Sequence, residues 1–259
     1  MRNDDLAKIK RMLTGIKSRG WIENRRPGNA GGVGNTLEDL LEVDENNLQL
    51  PDFGEWELKS QRNSTSSLLT LFHIEPNPRA ARIVPQLLLP KYGWPHQEAG
   101  RNYPNNERSY RQTINTTRWS DRGFKIVIER ESSRIAIAFD FSKIQGHEEW
   151  RQFIQQGIGT AGLNPTPYWD FADIKNKLDK KIKNLLYFRA ENKSENGKEF
   201  FKYNNFEAYI EPTLEKFLSL AEEGNIYVDF DAKTGHNHGT KFRMKPTVKD
   251  QLYLLKIEE

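Results

Sequence analysis

Apolar residues recur along the chain in two rhythms, and each rhythm predicts its own elements. Between residues 4 and 18, Leu6, Ile9 and Leu13 fall at helical spacing behind Asp4 and Asp5, acids of the kind a helix N-terminus favours. That spacing predicts an amphipathic helix. Thr36-Leu37-Glu38-Asp39-Leu40-Leu41 predicts a second, with Asn35 or Thr36 as its cap and Leu37, Leu40 and Leu41 as its buried stripe. Behind Asp170 a third is expected, because Phe171, Ile174, Leu178, Ile182 and Leu185 recur at intervals of three and four. A fourth follows Pro212 and ends near Gly224.

Alternation of period two predicts strands. Over residues 55–60 it sends Trp56 and Leu58 to the core and sets Glu55, Glu57 and Lys59 on the other face. Ser67-Leu68-Leu69-Thr70-Leu71-Phe72 continues as a buried strand, and residues 123–129 and 134–140 alternate as a hairpin. In residues 225–231, Ile226, Val228 and Phe230 point inward while Asp229 and Asp231 face out. A polar turn over residues 233–239 leads to a partner strand with Phe242 and Met244 inward and Lys241, Arg243 and Lys245 on one outer face. Residues 76–122 break both rhythms: Pro76, Pro78, Pro85, Pro90, Pro95 and Pro104 predict a segment without long regular elements. Helices and strands together give an α/β (α+β) class.

Composition narrows the field. With 259 residues, 36% of them hydrophobic and 6 Trp, the chain is long and apolar enough to fold around a real core. No apolar run approaches membrane-spanning length, and residues 1–20 are too charged for a secretory signal, so a soluble intracellular protein with no membrane partner is expected. The absence of cysteine excludes disulfides, thiolate zinc sites and cysteine nucleophiles. A net charge of +3 permits nucleic-acid binding only through a local basic surface. Residues 78–122 offer one, with eight Arg or Lys against three acids, a difference of +5, and with Tyr92, Trp94, Tyr103, Tyr110 and Trp119 interleaved. Such a segment suits a phosphate-contacting flap, and equally a solvated insertion.

Two places carry candidate chemistry. Pro51-Asp52 sets an acid at a turn, and after four intervening residues come Glu57, one further residue and Lys59. Converging carboxylates are hard ligands suited to Mg²⁺, and a lysine beside such an ion is equipment for activating water against a phosphodiester. With 29% of residues charged, an Asp…Glu-x-Lys pattern also arises by chance about once in a chain of this size, and a charged surface strand looks the same. Glu38 reads as a solvated or capping glutamate whose place upstream of Asp52 makes it a candidate third carboxylate. The glycine-rich stretch 28–34 lacks Gly-Lys-Ser/Thr, and serves either phosphate approach or a flexible connection. The row Lys175, Lys177, Lys180, Lys181 and Lys183 reads as a solvated face. The second place is the hairpin around His236-Asn237-His238, where two His, Asp229, Asp231, Lys241 and Arg243 supply donors and acceptors matched to base edges in a major groove. Zinc binding by His-x-His and an ordinary decorated hairpin are the rival readings.

The run Gly20-Trp21, Gly28-Asn29, Gly34 to Leu41, Pro51-Asp52-Phe53, Glu57-Leu58-Lys59 and Ser67 to Phe72 resembles the MvaI/BcnI restriction endonucleases. The likeness resumes at Tyr168-Trp169, Leu178 to Lys181, Lys202-Tyr203-Asn204 and His236 to Arg243. A fainter one to the mismatch-repair nickase MutH runs through Leu37-Glu38, Asp52, Glu57-Leu58-Lys59 and Phe242 to Lys245. What the resemblance implies is a restriction-endonuclease-like (MutH-like) PD-(D/E)XK fold: a mixed central sheet flanked by helices, in two lobes forming a DNA-binding cleft. The catalytic lobe would run over 1–145 and the recognition lobe over 146–259. It implies a prokaryotic cytoplasmic monomer, accompanied by a cognate DNA methyltransferase, that cuts double-stranded DNA at a short CC-x-GG-like site. Asp52 and Glu57 would ligate Mg²⁺, with Glu55 a competitor for Glu57's place; Lys59 would activate water and Glu38 support the site. His236, His238 and Arg243 would contact bases, alongside Asp229, Asp231 and Lys241. Near Asp231 a relative carries arginine, a charge reversal that leaves the target sequence open. A repair nickase and a non-catalytic DNA-binding protein are the alternatives.

Overall fold

The computed structural model describes residues 2–28, 31–41, 51 and 55–258. In chain order they form α1 (Arg2–Ser18), β1 (Ile22–Glu23), α2 (Gly32–Leu40), β2 (Trp56–Arg62), β3 (Leu69–His73), α3 (Leu89–Tyr92), β4 (Trp94–Pro95) and β5 (Arg108–Ile114). There follow β6 (Arg122–Glu129), β7 (Arg134–Ile144), α4 (Glu148–Gly157), β8 (Tyr168–Asp170), α5 (Phe171–Lys180), β9 (Asn184–Glu195) and β10 (Lys198–Pro212). The remainder is α6 (Leu214–Glu222), β11 (Ile226–Lys233), β12 (His236–Asn237), β13 (Lys241–Met244), α7 (Lys249–Leu252) and β14 (Tyr253–Glu258). The fold is mixed α/β. No helix among the described residues is long and apolar enough to cross a membrane.

The chain divides into two compact units, each built from separate stretches. Met1–Ser67, Lys177–Thr213 and Asp250–Glu259 form the first; Leu68–Asn176 and Leu214–Lys249 form the second. A single boundary near residue 145 therefore falls inside the second unit. The cause is the long β9–β10 hairpin, which returns the chain to the first unit and pairs β9 with β2.

In the first unit a mixed sheet runs β1-β10-β9-β2, with β14 also on β10; β2 and β9 are parallel and the other pairs antiparallel. One face carries the core. Trp56 and Leu58 of β2, Leu186 and Phe188 of β9, and Phe206 and Ala208 of β10 pack there against Leu13 and Ile16 of α1 and Val33 and Leu37 of α2. The side chains of Leu6 and Ile9 lie outside the described part. Helix α2 starts at Gly32, four residues ahead of the predicted start, with Gly31 as a cap that makes no side-chain hydrogen bond, and Thr36 is buried within it. Close packing explains the early start. A Cβ at Gly32 would stand 2.7 Å from the amide nitrogen of the buried Asn24, so glycine lets the first turn settle on that side chain. Residues 32–34 of the glycine-rich stretch are therefore helix.

In the second unit one sheet runs β3-β13-β11-β5-β4, with β12 on β11, and another runs β6-β7-β8. The predicted hairpin 123–140 is β6 and β7. The core here is aromatic: Phe242 lies 5.3 Å from Phe72 and 5.1 Å edge-on from Trp169, whose indole N–H donates to the Ile74 carbonyl. Two expectations fail. The proline-rich segment holds β5, a seven-residue strand that pairs with β11 and buries Tyr110 completely; its prolines lie outside β5, with Pro95 in the two-residue edge strand β4. Tyr92 is buried too, so the segment's aromatic residues serve the core as well as the surface. Helix α5 ends at Lys180, and Leu185, read as its last apolar position, belongs to β9.

Candidate functional site

Strand β2 shows how local sequence builds the first site. Its alternation buries Trp56 and Leu58 on the helix-covered face, so Glu57 and Lys59 project from the other, beside Leu185 and Tyr187 of the parallel neighbour β9. Glu57 is wholly buried. Lys59 Nζ donates to its Oε1, and Lys181 Nζ stands 2.8 Å from its Oε2. Taking an ionised carboxylate out of water costs several kcal/mol, and an ammonium on each oxygen is what offsets it. The buried Tyr253 hydroxyl feels the same charge: burial raises its pKa, and the Glu57 carboxylate raises it further.

Glu55 does not share this face. The ladder to β9 starts at Trp56, so Glu55 sits exposed in a turn, its carbonyl accepting from Asn184 Nδ2 at 3.1 Å. Glu38 is placed on the helix-covered side: a Cβ at Gly34 would lie 3.5 Å from Ser60 Oγ and 3.9 Å from Glu38 Oε1, and Ser60 alternates away from Lys59. The structure thus gathers Glu57, Lys59 and Lys181 on one side of β2 and sets Glu38 on the other. Asp52 lies outside the described residues. No group of three or more His, Asp or Glu among the described residues is placed to hold a metal ion. The Glu57 carboxylate is a hard donor of the kind a divalent ion takes; with an ammonium on each oxygen, an ion bound there displaces one of them and needs a second carboxylate beside it.

The second site is the polar face of the sheet around β11, whose residues alternate buried and half-buried along their whole length. Register sets Asp229 between Lys241 and Thr113, and Asp231 beside Arg111. Arg243 Nη1 donates to Asp229 Oδ2 at 3.1 Å, and Thr113 Oγ1 to Asp229 Oδ1 at 2.8 Å. Arg111 Nε donates to Asp231 Oδ1 at 2.8 Å. Thr234-Gly235 turns the chain in two residues, with Gly235 at a φ of 74°, which glycine adopts without strain. That tight turn presents His236 and His238, whose rings meet edge to face 4.2 Å apart. Beside them opens a cavity of about 950 Å³ bordered by Trp94, His96, Tyr103, Arg111, Asp231 and Lys233. All six side chains predicted for base reading therefore lie on one sheet face and its turn.

The family model described as the MvaI/BcnI restriction endonuclease family matches residues 10–253. The chain belongs to this family. Two solved structures are similar over nearly the whole length. One is a restriction endonuclease MvaI–cognate DNA substrate complex, at 29% identity over 98% of this chain and 97% of that chain, with a TM-score of 0.79. The other is restriction endonuclease MvaI in the absence of DNA, at 30% identity over 93% and 92%, with a TM-score of 0.51. Among curated proteins nothing matches. The chain is thus a restriction endonuclease, a hydrolase that cuts DNA site-specifically.

For such an enzyme, sequence reasoning overlooked two side chains. Lys181 looked like one of a solvated row, yet it falls three residues after Leu178 and one before Ile182, on the apolar stripe, and its side chain is only 16% exposed. A lysine inside an apolar stripe is the signal that could have found it. Arg111 lay in the segment taken for irregular, and only the pairing of β5 with β11 brings it to Asp231.

Proposed function

We propose that this endonuclease requires Mg²⁺ and cleaves duplex DNA as an intracellular monomer at a short pseudopalindromic CC-x-GG-like site, with a cognate methyltransferase protecting the host. The observation that carries the reading is the buried Glu57 carboxylate with Lys59 and Lys181 on its two oxygens, on a strand that follows Pro51-Asp52. Asp52 and Glu57 would hold the ion, and Glu38 would support the site from the helix side. The chemistry that Mg²⁺ supplies when bound there is polarisation of a phosphoryl oxygen and a lowered pKa for bound water. Lys59 orients the attacking water through its ammonium, which Glu57 fixes in place. The water oxygen bonds to phosphorus as the bond to the 3′-oxygen breaks, leaving a 5′-phosphate and a 3′-hydroxyl. His236, His238, Arg243, Asp229, Asp231 and Lys241 make up the face that reads the bases. That the DNA-bound MvaI complex is similar over 98% of this chain supports duplex DNA as the substrate.

Plasmid of known sequence, incubated with protein and Mg²⁺ or with chelator, tests this beside a Lys59→Ala control. Discrete fragments with common ends that need both Mg²⁺ and Lys59 are expected. Relaxed circles alone would favour a nickase, and binding without cleavage under any condition would favour a non-catalytic DNA-binding protein.

A further inference from the structure

The sheet around β11 carries two arginine–aspartate pairs, and they are not equivalent. Arg243 is held by the fold: Nη1 bonds Asp229, Nη2 donates to the Leu68 carbonyl at 2.9 Å, Nε is buried with no hydrogen-bond acceptor among the described residues, and the side chain is 26% exposed. Arg111 is the opposite case. Its Nε and Nη2 both stand 2.8 Å from Asp231 Oδ1, no other described residue bonds the guanidinium, and the side chain is 68% exposed at the edge of the 950 Å³ cavity. One edge of the fork is therefore fixed while the rest is presented outward.

A guanidinium steadied along one edge keeps donors for a second, planar partner, and it loses less rotamer freedom on binding than an unsupported arginine. Guanine offers the complement in the major groove, with N7 and O6 as adjacent acceptors. We propose that Arg111 is the guanine-reading arginine of this enzyme, with Asp231 as the residue that positions it. On this view Asp231 does not itself read a cytosine amino group, and Arg243 organises the sheet. The inference rests on the endonuclease reading above and names a recognition residue within it.

The test is selection of bound duplexes from a random-sequence pool with Ca²⁺ in place of Mg²⁺, for wild type, R111A, R111Q and D231N. Wild type is expected to enrich one sequence containing guanine. R111A and R111Q should lose the preference for guanine at a single position by about 5- to 150-fold while keeping the others, and D231N should relax the same position less. Since Arg111 is exposed, both variants should melt as wild type does. Equal weakening on every sequence would make Arg111 a phosphate contact and overturn the proposal, as would an unchanged preference. If wild type enriches no sequence, the endonuclease reading falls as well; if it does and the variants select the same guanine, this inference alone falls.

Discussion

Strands β2 and β11 both set charged residues at alternate positions of one face, Glu57 and Lys59 on β2 and Asp229, Asp231 and Lys233 on β11, yet their surroundings make different devices of them. On β2 a parallel neighbour and the residues above it close over Glu57, and two ammoniums converge on a single carboxylate. On β11, antiparallel partners on both sides give each aspartate its own arginine, and the pairs are spread along a half-open face. Concentrated charge in a dry place is suited to stabilising one developing charge, since an ion interacts more strongly there than in water. A row of separate donors and acceptors suits reading a sequence. Alternation writes both patterns; burial decides which chemistry each supports.

The largest expected effect comes from Lys59. Lys59→Ala should lower the cleavage rate about 10²- to 10³-fold, the range for losing one positioned donor at a reacting centre, while duplex affinity stays within a few-fold. Single-turnover cleavage beside a gel-shift titration measures both. Equal losses in the two would place Lys59 with the reading residues and break the distinction between the faces. Next comes Lys181→Met, which removes the ammonium beside Glu57 Oε2. Breaking a buried ion pair outright costs roughly 3–5 kcal/mol; because Lys59 remains, about 2 kcal/mol is expected. Urea unfolding gives the number, and a variant as stable as wild type would show that Glu57 needs one ammonium only.

How far the sequence spoke depends on whether a pattern is closed within its own segment. The alternation of β11, the turn at Gly235, and the burial of Trp56 and Leu58 are local, and each appeared as expected. So did α6, set by Pro212 and Gly224. Features settled by a distant partner were illegible. Residues 108–114 become a strand because β11 supplies a ladder more than a hundred positions away, and Lys181 becomes a half-buried cation because Glu57 stands beside it. Family resemblance filled part of that gap at the level of fold, since the matched model spans residues 10–253. It did not reveal which arginine is exposed.

Smaller effects sharpen the contrast within the β11 face. Arg243→Ala removes bonds to Asp229 and to the Leu68 carbonyl and leaves a partly buried acid uncompensated, so a loss of about 1–3 kcal/mol is expected. Arg111→Ala, on an exposed side chain, should stay within about 0.5 kcal/mol. Thermal melts of the two variants side by side decide the matter, and a reversed order would mean that Arg111 holds the sheet and Arg243 is the available reader.

The smallest effect concerns an ion pair of the first unit that is neither a converging site nor a reading face. Glu199 accepts from Arg62 Nε at 2.9 Å and Nη2 at 3.1 Å, and from Asn24 Nδ2 at 3.0 Å. The Arg62 guanidinium, foremost, holds its carboxyl below the usual glutamate range, against a smaller opposing effect of burial. A folded-state pKa below the unfolded one means that the pair stabilises fully above the unfolded value, about 4.3, and that this contribution fades as pH falls through the folded value. Wild type should therefore lose Tm on acidification below about pH 5 more steeply than Glu199→Gln, and the difference should shrink in high salt because the pair is open to solvent. Parallel Tm profiles would mean that the pair contributes nothing. In that case ion pairs of the first unit would matter to stability only where, as at Glu57, the carboxylate is shut away from water.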